Sequence, residues 1–266
     1  MRLYNFFRLL SITAFILSLS TSCGKTRPDD PNLSPEPGTI TPSPSPGEDS
    51  NSDESKVDPS TGLEVKTITF DVSAYDTFVY FSFKNGLVYI SDEQSKDLLN
   101  WDMAFHRADI RTNSGESSAI GAKGGAYETP ATVLSEKVDI PAADKFETDI
   151  PYVIAVSHTD EAGVRQAYRP VSPVLTTKTV PVLDKDGNPV RGANGFIKYN
   201  IIRRGAIVMD LSQMPPVMEL SRKVYLIRTP DGQYAKVKIT KYSRKPNTPM
   251  GDPGRLLRMD YVYPIK

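Results

Sequence analysis

The segment Trp101 to Ala126, WDMAFHRADIRTNSGESSAIGAKGGA, constrains the fold more than any other part of the chain, because it joins an alternating strand to a glycine- and serine-rich loop. Successive side chains of a strand point to opposite faces. Trp101, Met103 and Phe105 are therefore expected on one face, in the core, with Asp102, Ala104 and His106 on the other. Similar short runs recur. Thr67 to Phe70 and Thr77 to Phe83 mix β-branched and aromatic residues, and Val224 to Arg228 is split from Tyr234 to Tyr242 by Pro230-Asp231-Gly232. Asp-Gly tolerates the positive φ of a tight turn, so this pair reads as a hairpin. Lys185-Asp186-Gly187-Asn188, between Val180-Pro181-Val182-Leu183 and Phe196 to Ile202, predicts another. Helical periodicity is scarce. Asp92 to Asn100 and the neighbourhood of Arg222-Lys223 could each form a turn of helix, but no segment carries an amphipathic pattern of three turns. The expected product is a single all-β domain over residues 63–266.

Residues 1–22 have the parts of an export signal: Arg2 and Arg8, an apolar run from Leu9 to Leu19, then Ser20, Thr21 and Ser22. Cys23 follows at once, the arrangement of a bacterial lipoprotein in which the cysteine is acylated and becomes the first mature residue. The apolar run falls short of the ~20 residues a membrane-spanning helix needs. Acyl chains contribute about 0.8 kcal/mol per buried methylene, so two of them make a stable anchor. Residues 23–62 comprise this cysteine and a Pro-, Ser-, Asp- and Glu-rich stretch that is too poor in apolar surface to offset the entropy of ordering. Its prolines favour extended geometry, which predicts a disordered, semi-rigid tether. Outer-membrane attachment with the domain exposed at the cell surface is the expected location.

Composition narrows the function. The 32 basic and 32 acidic residues cancel, so no net field favours nucleic acid. A single cysteine excludes an internal disulfide and any zinc site of several thiolates. With His106 and His158 as the only histidines, a nucleophile–histidine relay has little to draw on. Gly115-Glu116-Ser117-Ser118-Ala119 lacks the second glycine of a nucleophile elbow, and Gly121-Ala122-Lys123-Gly124-Gly125 lacks the Gly-Lys-Ser/Thr ending of a phosphate loop. Both read as flexible or bulged connections between strands. Asp184-Lys185-Asp186-Gly187 is too short for a calcium loop. No catalytic residues are assigned, and an enzyme is not expected.

The Trp101–Ala126 segment, together with TITFDVSAYDTFVYFSFKNG (Thr67 to Gly86), LSRKVYLIRTPDGQYAKVKITKY (Leu220 to Tyr242) and Tyr261-Val262-Tyr263-Pro264, resembles the HmuY-like family of haem-binding lipoproteins. The resemblance implies an antiparallel β domain, haem as ligand, and a TonB-dependent outer-membrane receptor as partner. His106 belongs to a block shared with that family's scaffold, which favours a buried, hydrogen-bonded histidine over an iron ligand.

In that family the iron is held by two side chains, histidines or methionines, on adjacent hairpin segments. Carried onto this sequence, the first region is Gly163 to Tyr168, with Val164 or Gln166 at the ligand position; the second is Val208 to Pro216, with Gln213 or Met214. A stretch of about Thr179 to Asn200 separates them. Met209, Met214 and Met218 cluster here, and methionine either fills irregular apolar surface or offers a soft, neutral ligand to haem iron. The residues predicted to hold haem are Met214 first, with Met209, His158 and Gln166. The alternative is a family member that binds another tetrapyrrole, a glycan or a protein at the cell surface.

Overall fold

The computed structural model describes residues 54–59, 61–158, 164–193, 195, 197–210, 217–245 and 254–266. The export segment 1–22, Cys23, Gln213 and Met214 lie outside the described residues.

In chain order come β1 (Glu54–Val57), β2 (Glu64–Asp71), β3 (Val79–Ser82) and β4 (Gly86–Val88), then a one-turn helix α1 (Asp92–Ser95). β5 (Met103–His106) and β6 (Asp109–Thr112) lead through a 3₁₀ turn at Gly115–Ser117 to β7 (Gly125–Glu128). Three two-stranded hairpins follow: β8 (Ile150–His158) with β9 (Val164–Val171), β10 (Lys178–Pro181) with β11 (Tyr199–Arg203), and β12 (Ile207–Asp210) with β13 (Val217–Leu220). Then come β14 (Tyr225–Arg228), β15 (Tyr234–Arg244) and β16 (Arg255–Ile265). Every ladder between these strands is antiparallel. The all-β expectation holds.

Two sheets build the body. One is six-stranded in the order β1-β2-β16-β15-β14-β7, the other four-stranded in the order β4-β3-β5-β6. Their facing surfaces share one apolar cluster, in which Phe70 of β2 stacks on Phe105 of β5 at 4.5 Å and meets Phe81 of β3 edge-on at 5.4 Å. Each fully buried aromatic of this kind stabilises the fold by roughly 2–3 kcal/mol through area removed from water. The turn at Pro230-Asp231-Gly232 forms as expected, with Gly232 at φ +86°, a left-handed conformation that a Cβ would strain.

Four expectations are corrected. Trp101 does not share a face with Met103 and Phe105; it packs with Phe78, Tyr80 and Ala104 on the far side of the four-stranded sheet. β5 begins only at Met103, so strand alternation does not reach Trp101, and its Nε1 donates to the Ser95 carbonyl at 2.8 Å beneath α1. Arg222-Lys223 forms no helical turn: Arg222 has φ +59°, a left-handed conformation in the irregular link before β14. The Lys185–Asn188 hairpin is two turns in series. Leu183 bridges Pro189 and Arg191 bridges Ile197, and both turns lie inside the β10–β11 pairing. Gly115–Ser117 is not a flexible connection but a 3₁₀ turn in which Ser117 is 1% exposed. The helix at Asp92 does form, with a capping box in which Ser91 and Gln94 exchange side-chain and backbone bonds.

β1 falls inside the stretch read as tether. It pairs Glu54–Val57 with Glu64–Thr67 through its backbone while all four of its residues stay exposed. Such a strand buries no apolar face, so its sequence carries no hydrophobic period.

Candidate ligand-binding site

Two of the hairpins carry three of the four predicted ligand residues, His158, Gln166 and Met209. In β8–β9, His158 pairs with Val164 and Gln166 with Val156, two register positions apart on the same hairpin. The ladder is bulged between Val153 and Ala155. In β12–β13, Met209 lies directly opposite Met218, and both are half-buried. Met218 packs on the central core, which ties this hairpin to the body. Directly opposed strand residues have Cβ atoms about 5 Å apart, so the two thioethers are neighbours. A thioether is neutral and soft and does not titrate, which suits it to iron in a tetrapyrrole. Among the described residues no group of three His, Cys, Asp or Glu side chains could hold a bare metal ion.

The root of β8–β9 is built from polar contacts. Asp149, immediately before β8, is 2% exposed. Its carboxylate accepts from the Thr112 amide at 3.0 Å, the Thr112 hydroxyl at 2.8 Å and the Ser117 hydroxyl at 2.6 Å. Its own amide donates to Ser114 Oγ at 3.1 Å, and its carbonyl accepts from the Glu116 amide at 3.1 Å. Gly115 is required here, since a Cβ would stand 2.3 Å from the Asp149 carbonyl oxygen. Burial pushes the Asp149 carboxyl up to about 7, although the Ser117 and Thr112 bonds and the Arg111 charge oppose the rise.

On the β9 side, Arg169 Nη1 donates to His106 Nδ1 at 2.5 Å and pairs with Asp109 at 3.2 Å. His106 Nε2 contacts the Tyr75 carbonyl at 2.8 Å. The nitrogen that faces the Tyr75 carbonyl carries a proton, and Nδ1 also lies 3.7 Å from the Asp109 carboxylate. His106 is thus committed to the scaffold, in agreement with its structural reading.

A cleft of 620 Å³ has Asp92, Arg111 and Arg169 among its lining, with Pro151 and Pro170 of the hairpin on its wall. Arg111 is 3% exposed, bonds to the Tyr80 hydroxyl, pairs with Asp92 at 3.3 Å and lies 3.7 Å over the Phe78 ring. Burial lowers its pKa to about 10 and raises that of Asp92. Sequence reasoning passed over Asp149, Arg111 and Arg169. An arginine on an alternating strand reads as a solvent-facing residue, and only pairing with Asp92 and Phe78 reveals that it is buried. Pro151 and Pro170 beside two β-branched runs were the available signal for an unusual hairpin root.

Two packed antiparallel sheets accompanied by three two-stranded hairpins define an all-β sandwich. The family model described as HmuY protein matches residues 74–253, which takes in both candidate hairpins and most of the chain, and the chain belongs to that family. No curated protein matches it. Among solved structures, a candidate HmuY-like heme-binding protein from Bacteroides vulgatus is 22% identical, with 79% of this chain and 96% of that chain covered and a TM-score of 0.49. A candidate lipoprotein from Bacteroides fragilis is 20% identical over 76% of this chain and 92% of that one, at a TM-score of 0.45. The apo HmuY analog of Tannerella forsythia is 18% identical over 81% and 99%, at a TM-score of 0.42.

Proposed function

We propose that this HmuY-family chain is a haem-binding surface lipoprotein that takes up haem as cargo and passes it to a TonB-dependent outer-membrane receptor. The observation that supports this most is the family match over residues 74–253, which spans β8–β9 and β12–β13. The donor set fits the cargo: Met209 sits opposite Met218 on one hairpin, with Met214 in the segment between their strands. In this reading Met214 is the first axial ligand. Met209, or His158 on β8, is the second, and Gln166 stands where the family places its first ligand. The protein's part is to bind and orient the tetrapyrrole and to shield its iron from water; no bond of the cargo is made or broken.

Attachment is proposed through acylated Cys23, with the segment after it as the tether and the outer membrane as the site. No helix among the described residues is long and apolar enough to cross a membrane. A Cys23→Ser protein should leave the membrane fraction, and its retention there would exclude the anchor.

Haemin titration of Met214→Ala, Met209→Ala and His158→Ala at two pH values, under reducing and oxidising conditions, tests the ligand assignment. A thioether pair binds with little change from pH 5 to 8, whereas a histidine ligand weakens on acidification. The presence of Val164 and Gln166, where the family has histidine or methionine, favours a second reading: the scaffold binds a different tetrapyrrole, a glycan or a protein.

A further inference from the structure

The β10–β11 hairpin with the two turns inside it, Lys178 to Arg204, is an arm without an interior of its own. None of its described residues is buried, although Ile207 just beyond it is fully buried. Val180, Leu183, Ile201 and Ile202 are all exposed, Ile202 at 57%. Single apolar residues scattered over a surface need no explanation, but four on one ribbon do. The backbone of the arm is nonetheless tied together. The amides of Val182, Val190 and Lys198 donate in a ring to the carbonyls of Lys198, Val182 and Val190 at 2.8 to 2.9 Å.

The arm is also basic. It carries Lys178, Lys185, Arg191, Lys198, Arg203 and Arg204 against Asp184 and Asp186, in a chain whose 32 basic and 32 acidic residues cancel. Arg203 pairs with Glu147 at 2.7 Å and Arg204 lies 4.0 Å from Glu219. Among the described residues no ion pair reaches Lys178, Lys185, Arg191 or Lys198, and the Asp184 carboxylate is taken up by the amides of Asp186 and Asn188 at 2.9 and 2.8 Å. Neighbouring residues of a strand face opposite ways, so Val180, opposite Asn200, and Ile201, opposite Thr179, stand on different faces of the ribbon. Ile202 fills the bulge, with no residue opposite it. A rigid protein surface covers one face of a ribbon. A lipid interface takes up aliphatic side chains on both, while lysine and arginine stems carry their charges out to the headgroups.

We propose that the Lys178–Arg204 arm is a membrane-docking element for an anionic lipid surface: Val180, Leu183, Ile201 and Ile202 enter the interface, and Lys178, Lys185, Arg191 and Lys198 pair with lipid phosphates. The contact is independent of haem. It adds to the proposed Cys23 anchor, because an anchored chain holds the arm near the surface at high effective concentration, where a weak contact is enough to set how the domain lies. The base of the arm is tied to β8 through Tyr152 and Thr179, and to β12 through the Thr177 hydroxyl and the Ile207 carbonyl at 2.8 Å, so lipid contact orients both hairpins that carry candidate ligands.

Co-sedimentation with vesicles of phosphatidylcholine alone, or mixed with phosphatidylglycerol, tests the arm. The chain from Gly24 onward is used, since it keeps every described strand and lacks both the apolar Leu9–Leu19 run and the acylated cysteine. It should bind the mixed vesicles, and less as salt is raised, because exposed charge contacts are screened. Lys178→Gln with Lys198→Gln should lower the partition coefficient about fivefold per charge removed. Ile201→Ser with Ile202→Ser should lower it about tenfold and leave its salt dependence unchanged. None of the four positions is buried, so both variants should unfold in urea as wild type does, which separates lost docking from lost folding. No sedimentation of wild type with the mixed vesicles, equal binding to both kinds of vesicle, or folded variants that bind as wild type does would overturn the proposal.

Discussion

The interior between the two sheets and the root of the β8–β9 hairpin use the same strand geometry but differ in how much polar contact they carry. Between the sheets, Phe70, Phe81, Phe105 and their neighbours lie in one continuous apolar cluster, and their register is set by which side chains face inward. At the root of β8–β9, the buried Val171 and the Ser172–Ile110 backbone bond are joined by hydrogen bonds of Asp149 and Arg169, beside a cleft. Apolar packing is insensitive to pH and tolerates little change in shape; polar contacts are specific and titrate.

The largest test of this contrast is in the body. Phe105→Ala should cost about 3–5 kcal/mol by leaving a cavity against Phe70, measured by urea denaturation. A cost under about 1 kcal/mol would show that the sheets are not packed there.

Next comes pH. Burial raises Asp102 from 3.8 to about 6, although its carboxylate accepts from the Phe83 amide at 2.7 Å. A carboxyl raised on folding contributes stability that is complete below about 4 and is lost as pH rises through about 6; the loss is on the order of 3 kcal/mol. Asp149 adds a loss of the same sign extending to about 7. Wild type should therefore be more stable to urea at pH 5 than at pH 8, and Asp102→Asn should shrink that difference. An unchanged difference would assign the slope elsewhere.

A smaller effect belongs to Tyr152, whose hydroxyl meets the Thr179 amide at 2.5 Å and so links β8 to β10. Tyr152→Phe should cost about 1 kcal/mol and raise hydrogen exchange in β8 and β10 without touching β15 and β16. The smallest belongs to the exposed Arg204–Glu219 pair at 4.0 Å, where Arg204→Ala should change stability by less than about 0.5 kcal/mol.

Much of the body was legible because its causes are local. Pro230-Asp231-Gly232 names its own turn, and the stretch from Asp92 announced its turn of helix, though not the Ser91–Gln94 cap that starts it. Trp101 was misplaced because alternation was extended two residues past the start of β5. β1 was invisible because it pairs through backbone alone. Asp149, in a Glu-Thr-Asp-Ile-Pro run, reads as an ordinary surface acid; its burial is decided by Thr112 and Ser117, more than thirty residues earlier in the chain. For the site, the methionine cluster was visible, and the pairing of Met209 with Met218 gives it a register. His158 and Gln166 fall on the expected hairpin, and Met214 lies outside the described residues.

The central claim is that this HmuY-family scaffold binds haem through its hairpins, and a haemin titration of the wild-type protein tests it most directly. The account predicts a shifted Soret band that saturates at one haem per chain under oxidising or reducing conditions and is weakened in Met214→Ala. A Soret band that stays that of free haemin under both conditions would contradict it and leave the scaffold to another ligand.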